Sequence, residues 1–141
     1  MPYTATEMFS LVDDVEQYPE FLPWCGGSAV LSRDDHSLMA RVDIDFKGLR
    51  KSFVTENRNT PDELIEIRLK EGPFKSLEGK WHFYTLGPAA TRVSLDIDFE
   101  FSSVMIDRML GSVFKHIAGS MVDSFVKRAE RLYGRRELNI G

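Results

Sequence analysis

SVMIDRMLGSVFKHIAGSMVDSFVKRAERLY, residues 103–133, decides how the rest of the chain is read. Met105, Met109, Val113, Ile117, Met121, Phe125 and Leu132 recur at steps of four and seven, with charged residues mostly between them. That spacing predicts one amphipathic helix of roughly eight turns, apolar on one face and wet on the other. Ser103 is placed as its N-cap. Asp107 falls in the first turns and Arg128 and Arg131 near the end, in keeping with the helix dipole. Gly111 and Gly119 each cost about 1 kcal/mol relative to alanine inside a helix, and so predict close packing against the backbone there. A helix this long and one-sided draws its stability from a broad apolar surface to lie on.

The residues before it supply that surface. Val93, Leu95, Ile97, Phe99 and Phe101 alternate with Arg92, Ser94, Asp96, Asp98 and Glu100, the pattern of a half-buried strand. The same alternation runs through Leu77, Gly79, Trp81 and Phe83, through Ile65, Ile67 and Leu69, and through Leu38, Ala40, Val42, Ile44 and Phe46. Gly87-Pro88, Gly72-Pro73 and Asn59-Thr60-Pro61-Asp62 are the turns between them. Gly48 breaks the Leu38–Phe46 run, and 50–58 resumes with weaker alternation whose register the sequence leaves open. With the alternation that starts at Ser28, six strands form an antiparallel meander with one apolar face. At the other end, Thr4-Ala5-Thr6-Glu7 reads as a capping box, with Tyr3 and Met8 placed to pack across it. A short helix follows to about Asp14. Tyr18-Pro19-Glu20-Phe21 suits a second, shorter one because Pro19 fits a first turn. The fold class is therefore α+β, with a pocket expected between helix and curved sheet.

Composition narrows the function classes. The chain has 141 residues, 43% apolar and 28% charged, as in an ordinary soluble domain, and a net charge of −4. That charge argues against wrapping DNA, though a local basic patch remains open. Cys25 is the one cysteine, so no internal disulfide or thiolate metal site forms. No apolar run reaches the roughly 18 residues of a membrane span, and no secretory signal opens the sequence. The expectation is a cytoplasmic bacterial protein whose membrane contact, if any, is peripheral at the inner membrane.

Two motifs carry a resemblance. Tyr18-Pro-Glu-Phe-Leu-Pro-Trp-Cys25 and Glu71-Gly-Pro-Phe-Lys-Ser-Leu-Glu-Gly-Lys-Trp81 resemble the START-like, polyketide-cyclase-type family. Within it they resemble the coenzyme Q-binding branch, which also holds a bacterial ribosome-association toxin. The resemblance spans residues 2–134. It implies a helix-grip fold, a curved antiparallel sheet wrapped around the C-terminal helix, as one domain over 1–141 with 136–141 a disordered tail. Family members usually carry a strand before the first helix. Here the sequence starts at that helix, so a truncated start is expected, with the edge of the strand at 92–101 left open.

The site residues follow. Tyr18, Phe21, Leu22 and Trp24 are expected at the lip of a ligand tunnel, although core capping accounts for such residues equally well on type alone. Met105, Met109, Val113, Ile117 and Met121 would line one wall, methionine being an adaptable filler for a long mobile chain. Ile67, Leu69, Phe74, Leu77, Trp81 and Phe83 would face them from the sheet. On the resemblance, the ligand is a polyprenyl quinone of the ubiquinone type, carried without catalysis to respiratory enzymes and requiring no other cofactor. The alternative is a toxin that binds the large ribosomal subunit and blocks subunit joining; a cyclase-like enzyme is a lesser one. Two basic groups, Lys47, Arg50 and Lys51, and Lys127, Arg128, Arg131 and Arg135, are candidate contacts for RNA phosphates or anionic lipid. Asp43, Asp45, Asp96 and Asp98 are read as a solvated outer face. His36, His82 and His116 have no metal or triad spacing, so no metal and no catalytic residues are assigned.

Overall fold

The computed structural model describes residues 1–46 and 48–136; Lys47 and 137–141, most of the expected tail, lie outside the described residues. Helix α1 (Ala5–Asp13) starts at the capping box: Thr4 Oγ1 accepts from the Glu7 amide at 3.1 Å, and Glu7 Oε1 from the Thr4 amide at 3.0 Å. Met8, Phe9, Leu11 and Val12 form its buried face. A 3-10 turn (Val15–Gln17) and α2 (Tyr18–Phe21), with Pro19 in its first turn, lead into the sheet.

The strands are β1 (Cys25–Arg33), β2 (Ser37–Phe46), β3 (Leu49–Thr60), β4 (Leu64–Glu71), β5 (Phe74–Gly87) and β6 (Ala90–Phe101). They pair in chain order, each antiparallel to the next, as the alternation predicts. The register of β3 is now fixed: Val42 pairs with Phe53 and Ala40 with Thr55. Phe53, Thr55 and Asn57 therefore share the inner face, and two of these three are polar, which is why the alternation reads weakly. In β5 a register shift between Phe74 and Ser76 lets Phe74 and Leu77, three residues apart, both be buried. β6 is an edge strand. Met1 exchanges two hydrogen bonds with Thr91 of β6, at 3.0 and 3.1 Å.

Helix α3 (Val104–Tyr133) lies in the concave face of the sheet, capped by Ser103, whose Oγ accepts from the Ile106 amide at 3.2 Å. Its buried line is Leu110, Phe114, Ile117, Phe125 and Ala129, not the stripe read from the sequence. The difference is angular. Each residue turns an α-helix by about 100°, so a step of four overshoots one turn by about 40°. Four such steps, from Met105 to Met121, turn the stripe by about 160°, nearly to the opposite face of the helix. Met105 is consequently 72% exposed and Met109 44%, while Ile117 and Phe125 stay inside. The glycine expectation also changes. At Gly119 a Cβ would meet nothing within 4 Å, and at Gly111 it would meet Asp107 of the same helix, at 2.9 Å. Neither marks a packed neighbour from another element.

Helix α1 closes the layer by packing on α3, β5 and β6. Arg136 ties the end of α3 back to it. Its guanidinium donates to both oxygens of Glu7, at 2.7 and 2.9 Å, and lies over the rings of Tyr3 and Tyr133. Tyr3 Oη donates to the Gly134 carbonyl at 2.8 Å. Arg136 is thus anchored rather than part of a loose tail. This hydrogen-bonded pair also holds the Glu7 carboxyl below its ordinary range.

Candidate functional site

Two aromatic clusters brace the space between α3 and the sheet. Phe53, Phe74, Phe99, Phe101 and Phe114 form one, with ring centroids 4.5 to 6.3 Å apart. Phe9, Tyr18, Phe21, Trp81, Phe83 and Phe125 form the other, at 5.1 to 6.4 Å. A cavity of about 80 Å³ remains between them, walled by Phe53 and Phe114 from one and Tyr18 and Trp81 from the other.

Of the expected site residues, the structure brings together Tyr18, Trp24, Ile67, Leu77, Trp81, Ile117 and Met121 on that cavity wall. Phe74 and Phe83 are buried in the aromatic clusters instead, and Leu69 and Val113 pack at the margin of the core. Phe21 and Leu22 belong to a separate outer groove. Met105 and Met109 leave the wall altogether because of the helix rotation described above. Phe53, Leu95, Ile97, Phe114 and Ala118 join the lining, together with Thr55 and Asn57. Thr55 and Asn57 are absent from the expected set, yet polar residues at inner-face positions of a strand are unusual enough to mark a site.

The polar groups of the cavity are few. Thr55 Oγ1 donates to Asn57 Oδ1 at 3.0 Å. Trp24 Nε1 is buried with no hydrogen-bond partner among the described residues. Tyr18 Oη donates to the Val12 carbonyl, and burial pushes its phenol well above the ordinary value, so it stays a neutral donor. Cys25 Sγ donates to the Gly27 carbonyl at 3.2 Å, and burial raises the thiol, which disfavours the nucleophilic thiolate. His82 stacks on Tyr84 and His116 on Phe46, each away from the cavity wall. Among the described residues no group of three or more His, Cys, Asp or Glu side chains could hold a metal ion. No described helix is long and apolar enough to cross a membrane.

The basic groups differ in their surroundings. Arg50 reaches Asp45 at 3.5 Å and, with Lys51, borders a shallow depression shared with Asp43 and Asp45. Its charge is largely balanced there. Lys127, Arg128 and Arg131 line the outer groove between α2 and the end of α3, with Pro19, Glu20, Phe21, Leu22, Pro23 and Ser124. Arg135 lies beyond the helix, past Gly134.

Residues 1–126 match the model of the family described as polyketide cyclase / dehydrase and lipid transport, and the chain belongs to that family. A relative in Vibrio cholerae serotype O1, named ribosome association toxin RatA, is 45% identical over 132 residues, 94% of this chain and 92% of its own. The mitochondrial coenzyme Q-binding protein COQ10 homolog B of Xenopus laevis is 29% identical over 140 residues, 96% of this chain and 57% of its own. The crystal structure of the Zhui aromatase/cyclase from Streptomyces sp. R1128 superposes with a TM-score of 0.81 at 20% identity, covering 92% of this chain and 88% of that one. At that identity the likeness is one of fold.

Proposed function

We propose that this protein acts without catalysis, by associating with the large ribosomal subunit and hindering its joining to the small one. The observation that carries this reading is the RatA relative, matched almost end to end in both chains at 45% identity. The cavity supports it from the other side. Pockets that hold small molecules measure roughly 300–1,000 Å³, and the 80 Å³ here is room for a few waters rather than a quinone ring with a polyprenyl tail. The raised thiol of Cys25 and the scattered histidines offer no nucleophile–base pair for the cyclase alternative. The order of the two main expectations is thereby reversed.

The test is sedimentation. Purified protein is added to separated ribosomal subunits, magnesium is restored, and the mixture is resolved on a sucrose gradient. The protein should travel with large subunits and the joined ribosome should fall in proportion to dose. Protein left at the top of the gradient, with joining unchanged, would sink the proposal.

One observation favours a second role, binding a small hydrophobic ligand that carries an acceptor. Trp24 lines the apolar cavity, and its buried Nε1 has no hydrogen-bond partner among the described residues; such an unsatisfied donor costs roughly 1–3 kcal/mol, and a ligand carbonyl within reach would satisfy it. Solvent extraction of the natively purified protein, followed by mass spectrometry, addresses this. Near-equimolar quinone would restore the carrier reading. An empty protein would remove it.

A further inference from the structure

The outer groove contains two cations with no carboxylate partner among the described residues. Lys127 is paired with Asp123 at 3.0 Å. Arg128 and Arg131, on the same groove wall, make no ion pair or hydrogen bond through their guanidinium groups among the described residues. Arg128 is also held in place. Its guanidinium carbon lies 5.0 Å from the centroid of Phe21, and its Nε is buried without a partner. Phe21 in turn packs edge-on against Phe125 at 5.1 Å and Tyr18 at 6.2 Å, so the platform under Arg128 is anchored in the core. Glu20 is the one carboxylate in the lining.

A planar guanidinium fixed on a ring and left without an internal acceptor suits a phosphate. It presents a rigid fork of donors and has surrendered its side-chain freedom before the ligand arrives. A second unpaired cation, Arg131, sits three residues further along the same helix, so the groove offers spaced positive charges along a line. This matches a polyanion rather than a membrane surface. Membrane docking needs exposed apolar side chains beside the cations. Leu22 is buried, Phe21 is covered by Arg128, and Leu132 is the single large exposed apolar residue among the described residues of the last three turns of α3. The apolar side chains exposed elsewhere on this helix, Val104, Met105 and Met109, lie about 30 Å away along its axis.

We propose that the groove between α2 and the end of α3 binds the sugar-phosphate backbone of RNA, with Arg128 and Arg131 as the principal contacts and Phe21 as the residue that positions Arg128. That the RNA is ribosomal rests on the function proposed above; that the groove takes a phosphate backbone rests on its own geometry.

Filter binding of protein-free large-subunit ribosomal RNA, measured across a salt series, tests this with the full chain. Each phosphate contact contributes about 0.7 to 0.9 to the slope of log affinity against log salt. The double variant R128E/R131E should therefore bind at least about tenfold more weakly at moderate salt, with a slope shallower by about 1.4 to 1.8. Phe21→Leu keeps every charge; it should weaken binding about threefold to tenfold while leaving the slope nearly intact, a split that plain charge loss does not produce. Lys75→Glu with Lys80→Glu, both on β5 and away from the groove, matches the double variant's change in net charge and is the control for it, and urea midpoints show that each variant folds. The proposal is overturned if the wild type does not bind RNA, or if R128E/R131E keeps wild-type affinity and slope. It is also overturned if the double variant loses binding to anionic phosphatidylserine vesicles but not to RNA. Sedimentation with large subunits separates the two readings: RNA binding lost in the double variant, with a wild type that never joins the subunit, removes the ribosome function and leaves the groove standing.

Discussion

Phe125→Ala tests the rotational setting of α3, on which both the cavity and the groove depend. Phe125 is 0% exposed and meets the rings of Phe21, Trp81 and Tyr18 at 5.1, 5.3 and 5.5 Å. Truncation removes roughly 150 Å² of buried apolar surface, which at about 25 cal/mol per Å² is close to 4 kcal/mol. The edge-on ring contacts and the void left behind keep the total in the range of about 3–5 kcal/mol measured for such changes. That is a large part of the roughly 5–15 kcal/mol that holds a domain folded. Met105→Ala, from the same sequence-derived stripe but 72% exposed, should cost under about 0.5 kcal/mol. Urea unfolding of both, compared at equal m, reads these differences directly. If Phe125→Ala costs less than about 1.5 kcal/mol, or if Met105→Ala costs as much as Phe125→Ala, the helix face assigned here to the core is wrong.

Two further outcomes follow from local chemistry. Gly119 is helical, exposed and free of neighbours at the Cβ position, so Gly119→Ala should raise stability by up to about 1 kcal/mol in the same urea assay; a loss would mean a packed partner at that site. The Glu7 carboxyl is held below its ordinary value near 4.5, chiefly by its hydrogen bonds with Arg136. Its contribution to stability is therefore complete above that ordinary value and disappears as pH falls through the lower folded one. Thermal melts between neutral and acid pH should show this loss in the wild type, with a smaller one in Arg136→Ala; identical pH profiles would remove the coupling.

Much of the architecture was legible because it depends on periodicity. Strict alternation in β2, β4, β5 and β6 gave the strands and their inner faces, and the Thr4–Glu7 box gave the start of α1. Reading failed where the period was ambiguous or the site broke the pattern. A run of four-residue steps in α3 looks like one stripe on paper but precesses about the helix, which is why the spacing puts Met105 and Met109 on a cavity wall that Phe114 and Ala118 help to form instead. Thr55 and Asn57 were lost because inner polar residues mimic the outer face of a strand. The basic residues near the C-terminus were visible as a cluster, yet nothing in their spacing says that Arg128 rests on Phe21, a contact across more than a hundred residues.

The pairing order of the sheet bears on how the chain assembles. Each strand pairs with its immediate successor, so the meander grows from short loops whose closure entropy is small. The clasp between Glu7 and Arg136 joins residues 129 apart, and Met1 meets Thr91 across 90. Those long closures are expected to follow the sheet and α3, which form the surface that α1 docks on. Helix α1 is therefore expected to have low φ-values, so that its substitutions speed unfolding while those in the β4–β5 hairpin slow folding.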